Sequence, residues 1–135
     1  MTQTDPILAE QGYALQSHLG YRLTAWRSDF AQVEQPVSDH ILNRQGLPHG
    51  GVHAVLLDTA MGYAGCFTGD AARMQMCLTL SMTVNFVSRP RGQMLIATAR
   101  RVGGGASTFF AEGEVADELG EVVARGTGVF RYRKG

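Results

Sequence analysis

The sequence predicts an α+β fold, in which a curled antiparallel sheet of five to six strands wraps around a long central helix. Residues 49–66 read as one helix that is apolar on nearly every side, and such a helix belongs in a protein interior. Residues 78–86 alternate between apolar and polar side chains, which is typical of a strand. The last two predicted strands carry small residues on one face, which would let a helix approach the sheet closely.

The segment before the central helix predicts a short helix, a hairpin and a polar loop. Asp5 and Pro6 read as an N-cap followed by proline at the first helical position, and apolar residues recur at helical spacing until Gly20. We therefore expect a covering helix over about residues 5–19. Residues 21–27 and 30–37 alternate around Ser28-Asp29, which predicts a β-hairpin. The polar segment 38–48 then lies directly before the central helix, where we expect a site loop.

The central helix carries two features that predict chemistry. Pro48 disfavours helical geometry at the residue before it, so the helix should begin at His49-Gly50-Gly51. Glycines there leave the first-turn N–H groups open to an anion or a carbonyl oxygen. Asp58 then places a carboxylate in the middle of an apolar helix, where a charge persists only if it is paired or functional.

Four strands are predicted after the central helix, joined as an antiparallel meander. They cover about residues 78–86, 94–102, 107–116 and 122–133, with turn signals at 69–70, 89–92, 103–105 and 119–120. In the first of them, the alternation puts Leu78, Leu80 and Met82 on the face that packs against the helix. Thr79 would then lie on the opposite, polar face unless a bulge re-aims it.

Length and composition indicate one domain over residues 1–135 with a small-molecule partner. Twelve basic and twelve acidic residues cancel and form no long block, so nothing points to nucleic acid or to a membrane surface. The N-terminus lacks the pattern of a signal peptide, and we expect a cytoplasmic protein. Cys66 and Cys77 lie in apolar surroundings and should be buried thiols. His49 and His53 have helical i, i+4 spacing but no third ligand nearby, so we expect no metal.

The spacing of Gly50 and Asp58 predicts a dimer. Eight residues separate them, which is roughly 12 Å along one helix axis, so a single helix cannot bring both groups to one reacting atom. Two such helices packed antiparallel around a two-fold axis would place Gly50 of one chain opposite Asp58 of the other. If both groups act on one substrate, the protein is at least a dimer with two equivalent sites.

Three motifs follow one another from the site loop to the end of the first meander strand. They are Asn43-x-x-Gly46-x-x-His49-Gly50-Gly51, Asp58-x-x-x-Gly62, and a strand from Thr79 to Phe86 that ends near Pro90. Together they resemble the hotdog-fold acyl-CoA thioesterases of the phenylacetic-acid-degradation (PaaI-like) type. The resemblance implies a hotdog fold, a homodimer that commonly pairs into a dimer of dimers, and an acyl-CoA substrate. It implies no cofactor, since coenzyme A is part of the substrate.

The resemblance also implies roles for individual residues. Asp58 matches the catalytic carboxylate, which acts as a base on water or as a nucleophile. Gly50 matches the amide that polarises the thioester carbonyl, Asn43 a side-chain amide that assists substrate or water binding, and Thr79 a hydroxyl that bonds the water or carboxylate. Thioester hydrolysis builds negative charge on the carbonyl oxygen and needs a base, which suits helix-start N–H groups and a carboxylate.

Further residues are expected to bind substrate. His49 and Gly51 look like the scaffold of the turn at the helix start. Arg89 and Arg91 lie at a strand end, where related enzymes place coenzyme A phosphates; a solvated rim is the alternative reading. Arg100 and Arg101 occupy a similar position.

Two other functions remain open at this stage. A hotdog module could bind acyl-CoA without turning it over, although such a binder has no need of a buried base. A hotdog enoyl-thioester hydratase or dehydratase would need a histidine paired with an acid. His49 lies in the glycine turn and His53 has no evident carboxylate partner, so this third reading is the weakest.

Overall fold

The computed structural model describes residues 12–134, and one sheet and one long helix dominate them. The elements, in chain order, are α1 (Ala14–Leu19), β1 (Arg22–Arg27), β2 (Phe30–Pro36), a 3₁₀ turn (Asp39–Ile41), α2 (Gly50–Gly65), β3 (Cys77–Phe86), β4 (Met94–Gly104), β5 (Thr108–Asp117) and β6 (Val122–Tyr132). The predicted hairpin, central helix and four later strands are all present. The α+β architecture of a curled antiparallel sheet around one helix is therefore confirmed.

The sheet has six strands in the order β1-β2-β4-β5-β6-β3, with every neighbouring pair antiparallel. The predicted meander is correct for β4, β5 and β6 but wrong for β3, which pairs with β6 at the far edge of the sheet. Residues 87–93 between β3 and β4 therefore cross the sheet instead of forming a hairpin. Local turn signals indicate where a strand ends but not which strand it pairs with.

The helix predicted over residues 5–19 is present as Ala14–Leu19 but is wrong at Gly12 and Tyr13, which are not helical. Its first part lies outside the described residues. Tyr13 is extended, with φ −130° and ψ 171°, and α1 begins only at Ala14. No residue of α1 is fully buried, and Leu15 is exposed. Gly20 ends the helix in the left-handed conformation as expected, with φ 93°.

The central helix α2 is the core of the molecule. Its inward positions are completely covered by the sheet; they are Leu56, Leu57, Ala60, Met61 and Ala64. Glycines of the sheet lie opposite Leu57, where a larger side chain would have little space. A Cβ built on Gly113 would lie 3.3 Å from Leu57, and one on Gly126 would lie 3.2 Å from the same side chain. The small residues of β5 and β6 therefore allow the close approach that the sequence predicted.

A β-bulge in β3 corrects the predicted faces of that strand. The pairing of β3 with β6 shifts between Thr79 and Ser81, and a bulge inverts the alternation of side chains. Thr79 pairs with Phe130, and Met82 pairs with Gly128, so both face the helix side of the sheet. Leu78 and Leu80 are about half exposed, at 52% and 49%, and do not pack on the helix as predicted.

No helix within residues 12–134 has the length and the apolar character that crossing a membrane requires.

Candidate active site

A cavity of about 320 Å³ opens beside the middle of α2 and contains the predicted carboxylate. The hydroxyl of Thr79 donates a hydrogen bond of 2.6 Å to Oδ1 of Asp58. The bulge in β3 makes this contact possible, since without it Thr79 would point to the other face of the sheet. Two residues that are 21 positions apart in the sequence thus meet at one wall of the cavity.

The start of α2 is arranged so that one amide remains available. His49 is the N-cap, and its Nδ1 accepts a hydrogen bond of 2.8 Å from Gly51 N–H. Val52 N–H donates to the His49 carbonyl at 2.9 Å. Gly50 N–H donates to no atom of residues 12–134, so it is the first-turn donor that a ligand can use. Phe86 lies close by, and a Cβ on Gly50 would come within 3.2 Å of its ring.

Gly50 and Asp58 do not share a cavity in the single chain. Gly50 is not among the described residues that line the cavity around Asp58. This is the separation expected from eight residues of helix, roughly 12 Å along its axis. The geometry of one chain therefore supplies a carboxylate and a hydroxyl at one place and an amide donor at another.

Asn43 shapes the loop that precedes α2. Its Oδ1 accepts hydrogen bonds from the backbone N–H groups of Gln45, at 2.8 Å, and Leu47, at 3.2 Å. Its backbone N–H donates to the Leu47 carbonyl at 2.7 Å. The side-chain oxygen is thus occupied in closing a turn, whereas its amide N–H groups make no bond within residues 12–134. Any contact of Asn43 with a substrate would come from those N–H groups.

Arg89 and Arg91, which are predicted to bind coenzyme A phosphates, differ in their surroundings. Arg91 forms an exposed ion pair with Glu121 at 3.2 Å, and Arg89 is exposed. The loop that carries both is held by Asp117, whose carboxylate accepts four backbone N–H bonds, two of them from Arg91 and Gly92. Burial alone would raise the pKa of Asp117, but these backbone hydrogen bonds lower it to about 2.

Aromatic residues that sequence analysis did not single out line the Asp58 cavity. Trp26 of β1 donates its indole N–H to the Tyr63 carbonyl at 2.8 Å and meets the Tyr63 ring edge-on, with centroids 5.1 Å apart. Phe67 packs on Trp26 from another side at 5.5 Å. Trp26 is the only tryptophan in the chain, and a lone tryptophan on a strand beside the helix was the available signal. Trp26 and Tyr63 thus give the cavity an aromatic wall next to the carboxylate, and Phe67 supports Trp26.

His53 and the cysteines also have defined places. His53 is 4% exposed, its Nδ1 has no hydrogen-bond partner in residues 12–134, and burial lowers its pKa. No carboxylate therefore pairs with it there. Within the same residues, no three His, Cys, Asp or Glu side chains lie close enough together to hold a metal ion. Cys66 and Cys77 both line the cavity around Asp58.

A larger concavity, of about 460 Å³, lies on the outer face of the sheet. Its charged groups neutralise one another, since Arg100 pairs with Glu112 at 2.7 Å and Arg125 with Glu114 at 3.9 Å. Both carboxylates that line it are thus engaged in ion pairs. The smaller cavity around Asp58 is therefore the better candidate for an active site.

The chain matches one protein-family model and many solved structures. The model of the thioesterase superfamily matches residues 45–124, which include the helix start, Asp58 and Thr79. The BH2602 protein of Bacillus halodurans, whose crystal structure was determined with CoA, is 32% identical; the match covers 94% of this chain and 84% of that one, with a TM-score of 0.77. No curated protein matches the chain significantly.

Two further solved structures share the fold. The conserved protein PA5202 of Pseudomonas aeruginosa is 26% identical, with a TM-score of 0.81 over 90% of this chain and 94% of that one. The PaaI protein of E. coli, from the phenylacetic acid degradation operon, is 23% identical, with a TM-score of 0.77 over 90% of this chain and 85% of that one. Together with the family match, these likenesses confirm the hotdog fold that the motifs indicated.

Proposed function

The chain belongs to the thioesterase superfamily, and we propose that it hydrolyses the thioester of an acyl- or aryl-coenzyme A to the free acid and coenzyme A. The hydrogen bond of 2.6 Å from Thr79 to the Asp58 carboxylate, at the wall of an apolar cavity, carries this proposal. A thioesterase needs a base or nucleophile next to a pocket for an acyl group, and this is the place in the chain that offers both.

Asp58 is the proposed catalytic carboxylate. Thr79 holds Oδ1, which fixes the plane of the carboxylate and leaves Oδ2 to take a proton from water or to attack the carbonyl carbon itself. Water then adds to the carbonyl carbon, the C–S bond breaks, and the coenzyme A thiolate leaves and takes up a proton.

Gly50 N–H is the proposed donor to the carbonyl oxygen. Charge grows on that oxygen as the tetrahedral intermediate forms, and a positioned N–H at a helix start stabilises it. Because His49 already occupies Gly51 N–H, and Val52 N–H bonds the His49 carbonyl, Gly50 is the amide of the first turn that remains for this task. It must act on a thioester bound at the Asp58 of the partner subunit.

The surface of α2 supports such a dimer. A stripe along the helix is at least partly exposed in the single chain; it includes Gly51, Ala54, Val55, Asp58 and Gly62. Most of these side chains are small, so a second helix can approach closely along this stripe. Pairing the two helices antiparallel around residue 54 sets residue 50 opposite residue 58. The edge strand β3, with Leu78 and Leu80 exposed, adds apolar surface for the same interface.

The proposed substrate combines an apolar acyl group with coenzyme A. Trp26 and Tyr63 line the cavity and Phe67 packs on Trp26, and an aromatic wall of this kind suits an acyl or aryl chain. The structure of the relative BH2602 with CoA makes coenzyme A the first carrier to test. Arg89 is the better candidate for its phosphates, because Arg91 is already paired with Glu121. No metal or redox cofactor is needed for this reaction, and a homodimer or dimer of dimers is the proposed assembly.

The alternatives fit the site less well. A binding module gains nothing from a hydroxyl that orients a carboxylate toward the bound acyl group. A hydratase would need a histidine and an acid together, and His53 has no such partner in residues 12–134. Hydration of an enoyl-CoA without release of thiol would favour the hydratase, and tight binding without turnover would favour the module.

The test is release of free thiol from a panel of acyl- and aryl-CoA thioesters by the purified protein. We expect turnover by the wild type and a loss of roughly 10²–10⁴-fold for Asp58→Asn, since a positioned base contributes about that much. Asp39→Asn, at an exposed position of the 3₁₀ turn, is the matched control and should stay active. Wild-type rates from Asp58→Asn would contradict the proposal.

A further inference from the structure

Two cysteines line the Asp58 cavity although ten residues of loop separate them in the sequence. Cys66 follows α2 as its C-cap residue and is 6% exposed. Cys77 begins β3 and is half-buried. They are the only two cysteines in the chain. The fold brings the end of one element and the start of the next to the same cavity.

Cys77 Sγ packs against the end of α2 one helical turn from Cys66, since a Cβ added at Gly62 would lie 3.4 Å from it. The hydrogen bond from Cys66 lowers the pKa of the Cys77 thiol, and this effect exceeds the opposing effects of burial and of the nearby Asp58 charge. Cys77 Sγ also lies 4.0 Å from the Gly62 carbonyl, one helical turn before Cys66. Cys77 thus has a lowered pKa and is the thiol nearer to solvent, while Cys66 is buried.

We propose that Cys66 and Cys77 form a peroxide-oxidisable dithiol, with Cys77 as the thiol that reacts first and Cys66 as the thiol that resolves it. Hydrogen peroxide is small enough for the cavity and transfers one oxygen to the Cys77 thiolate, giving a sulfenic acid and hydroxide, which takes up a proton to become water. The Cys66 thiol then attacks the Cys77 sulfur, the S–S bond forms, and a second water leaves. Overall, one dithiol and one peroxide give one disulfide and two waters.

This site is independent of the proposed hydrolysis, which uses neither thiol. The pairing differs from that of two separate surface cysteines, because the resolving thiol is already in place when the sulfenic acid forms. A disulfide here would tie the end of α2 to the start of β3 across residues 67–76, a segment that includes cavity residues.

Thiol counting and mass spectrometry test the proposal on the reduced, purified protein. One equivalent of hydrogen peroxide should reduce the number of titratable thiols from two to zero and lower the intact mass by two hydrogens. Peptide mapping should find Cys66 joined to Cys77, and dithiothreitol should restore both thiols. In Cys66→Ser, a dimedone adduct should accumulate on Cys77, because the resolving thiol is absent.

Cys77→Ser is the matched variant and should give little dimedone adduct on Cys66. Oxidation of methionine before either cysteine in the wild type would overturn the proposal, and so would a disulfide formed only between chains. Faster labelling of Cys66 in Cys77→Ser than of Cys77 in Cys66→Ser would overturn the assigned order. The wild-type experiment needs no substitution, so a variant that fails to fold leaves the test intact.

Discussion

Replacing Gly50 with proline removes one N–H group from the proposed site and little else. Gly50 is the first residue of α2, a position where proline fits because its N–H has no partner within the helix. A residue before proline must be extended, and His49 already has φ −63° and ψ 137°. The substitution should therefore leave the helix, its histidine cap and the fold in place.

The expected loss follows from the number of available donors. Gly51 and Val52 N–H groups are both bonded within the chain, so no neighbouring amide replaces Gly50. Loss of one donor to a developing oxyanion costs roughly 10²–10³-fold in kcat, and we expect this for Gly50→Pro in the thiol-release assay. Gly50→Ala is the matched control, because its Cβ meets Phe86 in the same way but its N–H remains. Equal rates for the folded proline and alanine variants would refute the reasoning.

Three further predictions concern residues around the site. Thr79→Val should lower kcat by roughly 10- to 100-fold, the value of a hydrogen bond to a charged group, while Thr83→Val on the exposed face of the same strand should not. Asn43→Asp keeps the oxygen that closes the turn and loses the amide N–H groups. The variant should remain folded by circular dichroism and should turn over more slowly if those groups contact the substrate. Its loss of kcat should be smaller than that of Asp58→Asn. Asp117 has a folded-state pKa of about 2, below its ordinary 3.8, so its stabilising contribution is complete above about pH 4 and is lost as the pH falls toward 2. The melting temperature of the wild type should fall as the pH drops from about 4 to about 2. Asp117→Asn should have a lower melting temperature at neutral pH, and that temperature should change less between about pH 4 and pH 2.

Much of the fold could be predicted because its signals are local. The apolar run with a central carboxylate gave α2 to within a residue at each end, and alternation gave every strand. The order of strands was not local: β3 pairs with β6 through residues that are 38 to 55 positions apart, and nothing in either strand's sequence specifies its neighbour. The covering helix was wrong at Gly12 and Tyr13, because spacing of apolar residues alone does not make a helix that has little to pack against.

The candidate site was predicted in its residue types more fully than in its geometry. Asp58 and Gly50 were identified from spacing and resemblance, and both lie on α2, but only Asp58 lines the cavity. The contact of Thr79 with Asp58 depends on a bulge, and a single extra residue in one strand leaves no clear mark in the alternation. Trp26 was missed as a cavity residue because it reaches the cavity from β1, far from the motifs.

Mixed dimers test the central claim, that each site takes Gly50 from one chain and Asp58 from the other. Asp58→Asn chains and Gly50→Pro chains are unfolded and refolded together in equal amounts, with each variant refolded alone as the control. Random pairing makes half of the dimers mixed, and each mixed dimer has one site with both native groups, so about a quarter of the wild-type rate should return. If both groups acted within one chain, every site would lack one of them, and the mixture would be no more active than its components.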